Sequence, residues 1–137
     1  MSDRVVYADS SALVKLVVVD PETESLLREL ADEPVLVSST LAHVEVRRAV
    51  RIQTRGNHDA DTEARRLLAS CRLLEVTRPV LELAGDLTST VVRSLDAIHL
   101  ASALRVEPDV LVAYDQRLTE AAVAARLRVL APGRRSV

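Results

Sequence analysis

Residues 4–16 read Arg-Val-Val-Tyr-Ala-Asp-Ser-Ser-Ala-Leu-Val-Lys-Leu, and this stretch decides the fold. Its first half, Arg4 to Ala8, is a short apolar run with β-branched and aromatic residues, the pattern of a strand buried on both faces. Its second half changes period at once. Ser10 or Ser11 is placed to cap a helix running to about Val18, because a hydroxyl there can accept from a free backbone N–H of the first turn. A buried strand followed directly by a helix is the opening of a parallel α/β unit.

The same alternation continues down the chain. Pro21 breaks the chain, and Glu22 to Ala31 reads as a helix with acids in its first turn. Val35 to Val37 is a strand opened by Pro34. Ser39 or Thr40 caps a long helix to about Arg55, closed by the turn signal Gly56-Asn57. Asp59 to Ser70 is helical and Leu73 to Val76 is a strand. Pro79 suits the first turn of a helix extending to about Val92. Ser94 caps a helix over Leu95 to Val106, ended by Pro108. Val110 to Ala113 is a strand, Leu118 to Ala125 a helix, and Leu127 to Leu130 a last strand. The tail from Pro132 is expected to fray. Five apolar strands separated by helices predict one α/β domain over residues 1–137, a three-layer α/β/α sandwich on a mostly parallel five-stranded sheet.

Composition narrows the function. A chain of 137 residues buries enough surface to fold without staples. The single Cys71 cannot form an internal bridge and reads as a small core residue. The amino terminus lacks a signal-peptide pattern, and no apolar run approaches the roughly 18 residues of a membrane span, so a cytoplasmic protein with no membrane association is expected. The net charge of −2 shows no global bias towards nucleic acid. Tyr7 and Tyr114 are the only aromatic residues, which argues against base-stacking platforms.

Sites in open α/β sheets form beyond the carboxyl ends of the strands. Asp9 ends the first strand, and the fourth runs into Tyr114-Asp115. Two further acids lie on helices. Ala42, Glu45, Ala49 and Ile52 are spaced three, four and three apart and so share a face, with Val44 and Val46 beside Glu45. An ionised carboxylate there is costly unless it meets a partner. Arg48, Arg51 and Arg55 form a different stripe, which leaves an external cation or an arginine from elsewhere in the chain. Asp96 sits in the first turn of its helix among apolar neighbours. Each acid has a plainer role open to it: Asp9 as a helix cap, Asp96 as a complement to the helix dipole, Asp115 as a turn residue.

Taken together, the acids point to a cation. Two unit charges about 4 Å apart repel by about 4 kcal/mol at an effective dielectric near 20. A hard divalent ion relieves that repulsion, and Mg²⁺ needs only one or two direct carboxylates because it keeps its waters. Such an ion also suits phosphodiester hydrolysis. His99, three residues after Asp96, is near enough for general-base work, although the commoner role is structural. Arg47, Arg48, Arg51 and Arg55 form a basic strip on the Glu45 helix that can meet RNA phosphates, acids of a partner, or only solvent.

Four segments, YADSSALVKL (7–16), SSTLAHVEVRRAV (38–50), RSLDAIHLASAL (93–104) and VAYDQRL (112–118), resemble in order and spacing the PIN-domain family, in particular its VapC-type toxins. The resemblance implies Mg²⁺ or Mn²⁺ held by Asp9 and Asp96, with Glu45 and Asp115 completing the cluster, and endonucleolytic cleavage of RNA. It places Ser10 and Ser11 where they can orient water or phosphate; the candidates for substrate contact on the basic strip are Arg47, Arg48 and Arg51, read from their positions alone. It also implies a VapB-type antitoxin partner, and a homodimer or a heteromer with that antitoxin. The alternative is a catalytically silent PIN-like binding or regulatory module. A receiver domain would need paired acids after the first strand and a late lysine; a haloacid-dehalogenase-like phosphatase would need Asp in place of Ser11. Neither is present.

Overall fold

The computed structural model describes residues 3–134. Five strands form one sheet: β1 (Val5–Ala8), β2 (Val35–Ser39), β3 (Arg72–Leu74), β4 (Val110–Val112) and β5 (Val129–Leu130). Their order is β3-β2-β1-β4-β5, and every pairing is parallel, with Tyr7 beside Val37 on one side and Leu111 on the other. The helices are α1 (Ser10–Lys15), α2 (Thr23–Glu29), α3 (Ala42–Gln53), α4 (His58–Ser70), α5 (Arg78–Asp86), α6 (Ser94–Val106) and α7 (Gln116–Ala124).

Strand alternation divides the core in two. Val6, Ala8, Val110 and Val112 face α1 to α4, meeting Leu13, Leu26, Val46, Val50 and Leu68. Tyr7, Val37 and Leu111 face the other way, onto Leu100, Ala103 and Leu118 of α6 and α7. The result is the three-layer sandwich that the alternating pattern predicts. The sheet is wholly parallel among the described residues, where a mostly parallel one was expected.

Several boundaries differ from expectation. Helix α5 stops at Asp86 rather than near Val92, because Leu87 turns extended and the run Thr88-Ser89-Thr90-Val91-Val92 is poor in helix formers. Neither Ser10 nor Ser11 caps α1; Asp9 does, its carboxylate accepting from the Ala12 N–H at 3.0 Å. Helix α3 has no side-chain cap, and Ser39 instead accepts from the Leu41 N–H. Ser94 is the first residue of α6 and not its cap, since Arg93 precedes it in extended conformation. The carboxyl-terminal tail is partly tied down. Tyr114 donates to the Pro132 carbonyl, while Arg134 donates to the Tyr114 carbonyl and pairs with Glu22 at 2.7 Å. Residues 135–137 of the tail lie outside the described residues.

Leu111 sits at the centre of the sheet with no solvent exposure. Leu111→Ala leaves a cavity between β4 and α6, so it should lower stability by about 2–5 kcal/mol in denaturant unfolding. A cost below about 1 kcal/mol would contradict this packing.

Candidate active site

With strand order 3-2-1-4-5, the chain leaves β1 towards one edge and returns at β4 on its other side. The crevice of such a switch point opens beyond the carboxyl ends of β1 and β4. The acids singled out in the sequence are delivered to that edge by helix starts. Asp9 is the N-cap of α1 and Asp115 the N-cap of α7. Glu45 and Asp96 lie in the first turns of α3 and α6.

Asp9 is deepest, at 3% exposure. Its Oδ1 accepts from the Ser11 hydroxyl at 2.7 Å and from the Ala12 N–H at 3.0 Å. Burial pushes its carboxyl above the usual range despite those bonds and the nearby His99, and the charge of Asp96 adds to the rise. Glu45 is half-buried, and the face that α3 buries is Ala42-Val46-Val50, with Glu45 on its edge and Ile52 largely exposed. The expected apolar face through Ile52 is therefore displaced by one position around the helix. Glu45 finds its partner in histidine rather than arginine: Oε1 accepts from His99 Nε2 at 2.7 Å and from the Ser10 hydroxyl at 2.8 Å. Burial works to raise this carboxyl, but the hydrogen bonds from His99 and Ser10 outweigh it and hold it below its ordinary value.

Asp96 makes no hydrogen bond or ion pair among the described residues. Burial pushes its carboxyl up, and repulsion from Asp115 and Glu45 pushes further, against weaker relief from His99 and Arg93. Asp115 is exposed, and its Oδ1 accepts from the Leu118 N–H at 3.0 Å. Thus Asp96 feels both Asp115 and Glu45, and Asp9 feels Asp96, so the acids sit within one another's fields. Among the described residues, no three carboxylate, imidazole or thiol groups stand close enough to ligate an ion as they are.

The donor set nevertheless fits a hard cation. Among the described residues, Asp9, Glu45 and Asp115 each take their hydrogen bonds on a single oxygen, Oδ1, Oε1 and Oδ1 respectively, and the second oxygen of each makes none. All the donors are oxygen, and an ion that keeps several waters needs only one or two of them directly. Ser10 and Ser11 hold Glu45 and Asp9 rather than capping a helix. Arg47 is paired with Asp61 at 3.3 Å, whereas Arg48 and Arg51 are exposed and make no ion pair among the described residues. The sequence favoured a structural role for His99, which its burial fits, but it named neither Glu45 nor Tyr7 as its partner. His99 is buried, with Tyr7 on one ring nitrogen and Glu45 on the other. The available signal was a polar residue three positions after Asp96 inside an otherwise apolar run.

The PIN domain family model matches residues 6–124. Ribonuclease VapC46 of Mycobacterium tuberculosis is 44% identical over 129 residues, spanning 93% of this chain and 97% of that protein. Among solved structures, Mycobacterium tuberculosis VapC20, described as a sarcin-ricin loop cleaving toxin, superposes with a TM-score of 0.69 at 22% identity, covering 85% of this chain and 94% of its own. Rickettsia felis VapBC2, bound to a DNA fragment from its promoter, superposes at 0.69 with 11% identity, covering 92% and 97%. The two structures agree in fold, and the sequence relationship carries the assignment: this chain belongs to the PIN-domain family, among its VapC ribonucleases.

Proposed function

We propose that this ribonuclease is the toxin of a type II toxin–antitoxin pair, an endonuclease that hydrolyses RNA phosphodiester bonds with Mg²⁺ or Mn²⁺ and is neutralised by a VapB-type antitoxin. The observation that carries the metal reading is the arrangement of the acids. Four carboxyl groups lie at the helix beginnings of one sheet edge; among the described residues, three keep an oxygen free of hydrogen bonds and the Asp96 side chain makes no hydrogen bond or ion pair. Asp9 and Asp96 are the principal candidates to hold the ion, with Glu45 and Asp115 acting directly or through water. When bound, a divalent ion supplies an activated water and stabilises charge developing on the phosphate. The chain's own contribution is to hold the acids in place: Ser11 and the α1 amide fix Asp9, Ser10 and His99 fix Glu45, and the α7 amide fixes Asp115.

Arg48 and Arg51, exposed on the helix that carries Glu45, are the candidates to steer RNA phosphates. Val44 and Ile52 lie on the same helix, one on each side of Arg48 in the chain, at 64% and 70% exposure. Large exposed apolar side chains beside a charged site favour a protein partner there, which fits an antitoxin. A homodimer is also expected, and analytical ultracentrifugation with and without antitoxin reads the assembly directly.

The deciding experiment is cleavage of bacterial total RNA with Mn²⁺, mapping new 5′ ends. Wild type should produce discrete ends that vanish with a chelator and in Asp96→Asn. Folded wild type that produces none would replace this reading with the silent binding module.

Metal linkage gives a second prediction. At Mn²⁺ about 100-fold above its Kd, the ion should stabilise wild type by about 2.7 kcal/mol, seen as a rise in melting temperature that Asp96→Asn loses.

A third prediction concerns pH in the metal-free protein. Asp96 has a folded pKa above its ordinary 3.8, so the folded state binds the extra proton and stability falls as pH rises through that raised pKa. Glu45 has the opposite sign: its contribution is complete above its ordinary 4.5 and is lost as pH falls through the lowered folded value. With a chelator present, Asp96→Asn should therefore melt above wild type at pH 7, with the gap closing on acidification. A variant that melts below wild type at pH 7 would show that Asp96 is not under repulsive strain.

A further inference from the structure

Both ring nitrogens of His99 are engaged. Nδ1 lies 2.8 Å from the Tyr7 hydroxyl, and Nε2 lies 2.7 Å from Glu45 Oε1. The ring is 2% exposed and meets the Tyr7 ring edge-on, with centroids 6.0 Å apart and planes at 76°. The Ser10 hydroxyl, which donates to the same Glu45 oxygen, stands 3.3 Å from Nε2. Tyr7 is itself fully buried in β1, two residues before Asp9. One chain of polar contacts therefore runs from the middle of the sheet to an acid of the active site.

The direction of these bonds follows from what each group can do. A carboxylate only accepts, so Nε2 must carry a hydrogen to bond Glu45. In the neutral ring Nδ1 is then an acceptor, and the Tyr7 hydroxyl donates to it. At neutral pH a phenol keeps its proton, so Tyr7 has the hydrogen it donates.

We propose that His99, locked into its Nε2–H tautomer by Tyr7, is a positioning residue that fixes Glu45 for the metal-dependent reaction. The proposal rests on the metal-binding reading of the acidic site. His99 acts by holding one carboxylate oxygen still, so that Glu45 has a single orientation to offer with its other oxygen. A hydrogen bond on the far nitrogen of a histidine that orients a ligand is a common way of fixing such a group, and its loss typically costs metal affinity or activity. A histidine that merely satisfies its own hydrogen bonds in the core would affect stability alone.

The test separates those roles. Imidazole nitrogen NMR shifts of the metal-free protein report the His99 tautomer directly. Wild type should show Nε2–H, and Tyr7→Phe, which removes one buried oxygen and keeps the ring, should show a mixture. Calorimetric Mn²⁺ titration and cleavage kinetics then read the consequence. In Tyr7→Phe, Mn²⁺ affinity and kcat should each fall by roughly 10-fold, while KM for RNA stays within about twofold because the substrate contacts lie elsewhere. His99→Ala should lose more than Tyr7→Phe, and His99→Gln, which keeps a donor, should recover part of the loss. Circular dichroism melts identify the variants that fold. A wild-type ring protonated on Nδ1 alone overturns the proposal, as do folded Tyr7→Phe and His99→Ala variants with unchanged Mn²⁺ affinity and kcat. Wild type that neither binds Mn²⁺ nor cleaves RNA overturns the metal reading and this proposal with it. Wild type that does both, beside unaffected variants, leaves the metal reading standing and removes only the role of His99.

Discussion

All the strands of this sheet run the same way, so every strand-to-helix passage occurs at one edge. Helices α1, α3 and α7 begin there because each follows a strand. Helix α6 begins there because its far end feeds β4. Asp9, Glu45, Asp96 and Asp115 all belong to those beginnings, as caps or first-turn residues. The positive ends of the helix dipoles favour negative charge at these positions. The topology thus gathers the acids and supplies part of what makes the gathering tolerable. What is left shows in Asp96, whose carboxyl is pushed up first by burial and then by repulsion from Asp115 and Glu45.

The two faces of the sheet are packed by separate sets of helices, and the bond between Glu45 and His99 spans them. Glu45 belongs to α3 in the layer with α1 and α4, while His99 belongs to α6 in the opposite layer. A polar contact in this position depends on the register of both layers, so it responds to any shift of one against the other. Ser10, at the start of α1, shares the same carboxylate oxygen and ties a third helix to the junction. Asp9 adds a further coupling, since the group proposed to bind metal is also the group that caps α1. Substitution at Asp9 would therefore disturb the α1 cap as well as the proposed metal binding. Asp96, which caps nothing, is the cleaner probe of the metal.

Much of this was legible in the residues. The runs at 4–8 and 110–113 have a composition suited only to buried strands, and their flanking helices force a parallel arrangement. Asp9 and Asp115 were found by following strands to their carboxyl ends, Glu45 and Asp96 because charge is conspicuous among apolar neighbours. What escaped the sequence was partnership. Whether Ser10 caps a helix or holds Glu45 depends on where α3 lands, a tertiary outcome that local propensity does not encode. The same holds for His99, whose two neighbours lie 92 and 54 residues away in the chain. The overextended α5 has a local cause: its apolar pattern continues to Val92, but the hydroxyl-rich and β-branched run after Leu87 lacks helical propensity.

Burial is graded across the acids, and the gradient bears on how the site works. Asp9 lies almost completely buried, Glu45 and Asp96 are intermediate, and Asp115 is exposed. The deeper two are also the more heavily bonded, each with two donors on a single oxygen. A group that the fold already holds still needs no reorganisation to meet a ligand. Asp9 and Glu45 are therefore held in place by the fold itself, whereas the Asp96 carboxyl, pushed up by burial and by Asp115 and Glu45, carries charge that a bound cation would stabilise.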